Sequence, residues 1–196
     1  MKPLTIVQSA AVSLPERNVD TDIIYPARFL TDTRKSGLDE YAFKDRRDAD
    51  PEFPLGPHTT EEILITGANF GSGSSREQAP WALADIGIRV IVAPSFGDIF
   101  YANCFRNGLL PIRLPEATIA QLHNAAQNGQ SMEVNLINQT LRIDNDDLEI
   151  RFDVPADNRE SLLNGWNETT RILENHIDEI NAFERRQRSE QSWLWQ

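Results

Sequence analysis

The stretch GANFGSGSSREQAPWAL, residues 67–83, crowds three glycines, three serines and an Arg-Glu pair ahead of an apolar helical pattern. Ser74, Ser75 and Arg76 are the residues here whose types could do chemistry. Free backbone N–H groups at the mouth of a helix favour an anion. An arginine adds a planar fork that matches a carboxylate. Both features predict the same ligand, a small carboxylate or phosphate. A plainer reading stands beside it, in which a serine caps the helix and Arg76 and Glu77 are ordinary surface residues.

Known glycine fingerprints do not fit. Arg76 stands where the dinucleotide motif needs its third glycine, and no lysine follows Gly73 as a P-loop requires. The elbow of the serine hydrolases fails as well.

The totals limit the chemistry further. With 19 basic against 30 acidic residues the net charge is -11, which argues against nucleic acid as a partner. An anionic ligand must therefore be held by local groups, because the long-range field opposes it. Cys104 is the single cysteine, so neither an internal disulfide nor an iron–sulfur cluster with its usual ~4 cysteine ligands fits on this chain. His58, His123 and His176 match no zinc spacing. No apolar run approaches the ~20 residues of a spanning helix, and the start of the chain does not read as a signal peptide. The expected location is the cytoplasm, with no membrane partner.

Positioning such a turn requires strands and helices around it. LTIVQSAAVSL reads as a first strand, and NVDTDIIYPARFL as a turn followed by a short apolar piece. Residues 31–62, with Pro51, Pro54 and Pro57, read as a long irregular, mobile loop. From EILIT to QNG, strands alternate with helices, which predicts an α/β unit with parallel pairing. SMEVNLINQTLRIDNDDLEIRFDV then predicts short antiparallel strands. Leu173, Ile177, Ile180 and Phe183 make the stripe of a last helix. One domain over residues 1–196 is expected, with 188–196 as a tail. Cys104 reads as a buried structural thiol.

Four motifs in order, NVDTDIIYPARFL, NFGSGSSREQAPWAL, IRVIVAPSFGDIFYANCFRNGLLPI and LLNG, are similar to those of 3-isopropylmalate dehydratase small subunits. The likeness covers residues 4–183, and the wider group is the aconitase superfamily. It implies a swivelling β/β/α domain with a mixed, partly parallel sheet flanked by helices. It also implies a large-subunit partner bearing a [4Fe–4S] cluster, a small dicarboxylate substrate, and no cofactor on this chain. By resemblance Ser74 is the base, acting as an alkoxide steadied by Arg76. Ser75, Asp22 and Arg34 bind substrate, although Asp22 also reads as a turn former and Arg34 as a surface residue. The family commonly has Cys where Ser72 stands and His where Gln78 stands, and neither is a proton-transfer residue. Two further readings remain: a related isomerase acting on methylmalate/citraconate or homoaconitate, and a non-catalytic anion-binding module.

Overall fold

A computed structural model describes residues 1–31, 34, 36–73, 76–144, 146 and 148–195. Ser74 and Ser75 therefore lie outside the described residues.

The organising strand is β1 (Ile6–Leu14), which serves two kinds of pairing. Its first half, from Ile6 to Ala10, runs antiparallel to β5 (Ser131–Asn135). Its second half, from Ala11 to Leu14, runs parallel to β2 (Ile63–Thr66). Beyond β2 come the parallel strands β3 (Val90–Ala93) and β4 (Leu110–Arg113). Beyond β5 come the antiparallel strands β6 (Thr140–Ile143) and β7 (Glu149–Arg151). The result is one seven-stranded mixed sheet in the order β4-β3-β2-β1-β5-β6-β7.

β2 and β3 are buried along their whole length, because both faces of the sheet are covered. That explains their unbroken apolar sequence, where a half-exposed strand would alternate. On one face Ile63, Ile65, Val90 and Val92 pack with Ile119 and Leu122 of α5 (Glu116–Gln127) and with Val134 and Leu141 of the meander. On the other, Leu64 and Ile91 pack with Leu83 of α3 (Gln78–Asp85) and with Phe100 and Cys104 of α4 (Asp98–Arg106).

Residues 31–62 differ from the irregular loop that their prolines suggest. They contain a helix, α2 (Lys44–Ala49), and deliver Leu38, Phe43 and Leu55 to the second core with no exposure. Burying such side chains gains roughly 1.5–3 kcal/mol each, enough to pin a proline-rich segment down. The short α1 (Thr21–Ile24) sits on the same side and touches α3.

α6 (Ala156–Asn164) closes against the start of β1, where the Leu4 N–H donates to the Leu162 carbonyl at 2.9 Å. α7 (Glu168–Glu190) follows with a kink at His176. It has the expected apolar stripe, but no residue of it is buried. Among the described residues no helix is long and apolar enough to cross a membrane.

Candidate active site

The glycine-rich turn leaves the carboxyl end of β2 and is gripped from two sides. On one side the Gly71 N–H donates to the Val19 carbonyl at 2.7 Å and the Thr21 N–H to the Ser72 carbonyl at 2.9 Å. On the other, the Phe70 N–H donates to the Ser95 carbonyl at 3.1 Å and the Gly97 N–H to the Phe70 carbonyl at 2.9 Å. The turn is thus stitched between the loop before α1 and the loop before α4, although both lie far from it in sequence.

Gly71 and Gly73 hold φ of +69° and +92°, a region that side chains other than glycine enter at a cost. At Gly71 a Cβ would also stand 2.1 Å from Cγ of Phe100. Gly97 has the matching constraint, since a Cβ there would meet the Gly71 carbonyl oxygen at 2.5 Å. These contacts bring the first turn of α4 directly against the turn.

Arg76 precedes α3, whose first helical residue is Gln78 with Glu77 as its cap. Arg76 stands one residue ahead of that cap, and its carbonyl accepts from the Ala79 N–H at 3.3 Å, so it belongs to the turn that opens the helix. Its side chain is only 15% exposed. Nη1 donates to Oδ1 of Asp22 at 2.6 Å and lies 3.4 Å from the Tyr25 carbonyl oxygen, also as donor. Asp22 is in turn fixed by the Ala27 N–H, which donates to the same Oδ1 at 2.7 Å. That backbone bond is the largest cause holding the Asp22 carboxyl below its usual range; burial opposes it, and the bond and charge of Arg76 add to the lowering.

The turn role that the sequence allows for Asp22 falls to its neighbour. Asp20 caps α1, its Oδ1 accepting from the Asp22 and Ile23 N–H groups at 2.9 and 2.8 Å. Asp22 is thereby free to face Arg76.

A cleft of about 230 Å³ opens between Thr21, Gly71, Gly73 and Arg76 on one wall and Gly97, Asp98, Ile99 and Phe100 on the other. No side chain caps α4, because Gly97 occupies the capping position, so its first N–H groups have no intrahelical acceptor. A guanidinium on one wall and helix amides on the other suit a small carboxylate. The α4 wall was not singled out from the sequence as part of the site. The cue for it was the Gly-Asp pair opening the helix, GDIF.

The remaining residues divide plainly. Arg34 is not among the residues lining the cleft; it faces Glu40 at 3.8 Å in an exposed pair. Phe29 stacks on Tyr41 with ring centroids 4.4 Å apart, a packing role. Cys104 is fully buried, and burial pushes its thiol well above the usual value, which does not fit a cluster ligand. Among the described residues no group of three or more His, Cys, Asp or Glu is placed to hold a metal ion. A second cavity of about 220 Å³ near the start of α7 includes Arg106 and Arg171. There Arg171 already pairs with Asp157 at 3.2 Å.

The comparisons with known proteins agree with this architecture. Residues 1–117 match the family model for the Aconitase C-terminal domain. The 3-isopropylmalate dehydratase small subunit of Rhodospirillum centenum is 45% identical, over 98% of each chain. That of Gluconacetobacter diazotrophicus is 43% identical, over 98% of this chain and 97% of the relative. That of Neisseria meningitidis serogroup C is 39% identical, over 100% and 99%. Among solved structures, 3-isopropylmalate dehydratase from Methanocaldococcus jannaschii superposes with a TM-score of 0.70 at 26% identity, covering 90% of this chain and 99% of that one. With identity of this level over its whole length and a matching sheet, the chain belongs to the 3-isopropylmalate dehydratase small subunits of the aconitase superfamily.

Proposed function

We propose that this chain works with a large subunit as a hydro-lyase that interconverts 2-isopropylmalate and 3-isopropylmalate in leucine biosynthesis. Water is removed to give the unsaturated acid and then added back in the other sense. The observation that carries this reading is the largely buried, Asp22-oriented Arg76 on the wall of a carboxylate-sized cleft. The names of the full-length relatives supply the substrate.

On this reading Arg76 binds a substrate carboxylate through the part of its fork that Asp22 does not use. Ser74, between Gly73 and Arg76 in sequence, takes the proton from the carbon beside that carboxylate as an alkoxide. A serine hydroxyl is a very weak acid, so the role requires strong positive potential in a dry site. Arg76 and the uncapped start of α4 are local sources of that potential. Ser75 contributes its hydroxyl and amide to the carboxylate. Asp22 contributes by aiming Arg76. Arg34 joins the substrate contacts by its place in the family pattern, its exposed pair with Glu40 giving way.

The [4Fe–4S] cluster of the superfamily falls to the large subunit, since the single, buried thiol of this chain does not fit it. The test is reconstitution with the cluster-loaded large subunit. Isopropylmalate turnover should require both chains. Equal activity without this chain would make it a non-catalytic anion-binding module, and preference for citraconate would move the substrate to methylmalate.

A further inference from the structure

Ile99 stands in the first turn of α4 and is 51% exposed, although Phe100, Cys104 and Phe105 of the same helix are buried. A single exposed isoleucine means little on an open surface. This one lines the cleft, on the wall across from Arg76. Of the exposed large apolar side chains among the described residues, it is the one placed there.

Among the described residues the cleft offers a ligand no other large apolar side chain. Phe100 is 2% exposed, its ring taken up by Gly71. The remaining lining residues are glycines, Thr21, Arg76 and Asp98. Asp98 is fully exposed and faces Arg113 at 3.9 Å. Phe29 and Leu30, which follow α1, pack against the second core instead.

The two carboxylates are common to isopropylmalate and methylmalate, so the alkyl group is what distinguishes them. Arg76 and the α4 amides suit a carboxylate and are blind to that difference. An apolar side chain in the same helical turn as those amides is not, because each methylene buried or left bare changes the affinity. The branch at Cβ of Ile99 also fixes its rotamer within a helix, which makes it a stiff wall.

We propose that Ile99 is a specificity-determining residue, receiving the isopropyl group while Arg76 and the start of α4 hold a carboxylate; this rests on the function proposed above. The alkyl group does not react, so the contact is made alike in the ground state and the transition state. Its loss therefore falls on KM rather than on kcat.

Steady-state kinetics of the enzyme reconstituted with the cluster-loaded large subunit tests the proposal, with isopropylmalate as substrate and citraconate as competing acid. Ile99→Ala should raise KM for isopropylmalate about tenfold with little change in kcat. The inhibition constant of citraconate, which carries one methyl instead of the isopropyl group, should rise far less. Ile99→Val, which keeps the branch, should recover most of the loss. Sedimentation of the mixed subunits should show assembly as in the wild type. An unchanged KM, an equal loss for both acids, or a weakened assembly that accounts for the loss would each overturn the role of Ile99, the last by making it a subunit contact. In all three cases wild-type turnover of isopropylmalate still stands. A wild type that does not turn over isopropylmalate is a different result: the proposed function then fails and takes this inference with it.

Discussion

The ring of Phe100 fills the space that a side chain on Gly71 would need, with Cγ 2.1 Å from the position of the missing Cβ. One contact between α4 and the turn thus fixes how closely the two walls of the cleft approach. Gly87 offers a matched control, because it too has positive φ, +97°, but open space around it. Gly87→Ala should cost about 1 kcal/mol from backbone strain. Gly71→Ala should cost about 3 kcal/mol or more, since steric overlap in a packed core adds to the strain. Denaturant unfolding of both variants measures the difference, and equal losses would contradict the packing described for Phe100.

Arg76 and Asp22 set a pH expectation. The Asp22 carboxyl is held below its ordinary value of 3.8, first by the Ala27 N–H and then by Arg76. A carboxyl whose pKa is depressed on folding contributes stability above its unfolded pKa and loses it as pH falls through the folded one. The pair should therefore remain intact as pH falls to 3.8 and dissociate only below it. A carbon-detected NMR titration of Asp22 reads this directly; a midpoint at or above 3.8 would refute it.

For the proposed chemistry, Ser74→Ala should leave fold and assembly intact while turnover falls about 10²–10⁴-fold, the usual contribution of a proton-transfer group. Arg76→Lys should also be severely impaired, because an ammonium cannot hold Asp22 and a carboxylate with one planar fork. Steady-state kinetics of the reconstituted enzyme decide both. Near-normal turnover in Ser74→Ala would remove that residue from its role.

At the end of β2, the buried Thr66 hydroxyl has no hydrogen-bond partner among the described residues. Thr66→Val keeps the shape and removes an unsatisfied polar atom, so it should stabilise the protein by about 1 kcal/mol. A rise in the midpoint of urea unfolding without change of slope is the expected result.

Cys104 should resist thiol reagents in the native state. Its thiol is fully buried and pushed well above the usual value, and only an exposed thiolate reacts readily. Labelling should track global unfolding; fast modification under native conditions would contradict the packing of α4.

The strand–helix alternation from β2 to α5 was legible because the apolar periods there are local, and both cores simply require them. Gly71 and Gly73 announced a tight turn for the same reason, and the single cysteine bounded what this chain could ligate. Other features depend on contacts between distant residues, which local pattern does not encode. Asp22 and Arg76 stand 54 residues apart in sequence, and only the stitching of the turn to both neighbouring loops brings them together. The α4 wall of the cleft, the helix and core residues within 31–62, and the bare face of α7 are likewise outcomes of packing. An apolar residue carries the same letter whether its neighbours bury it or leave it exposed.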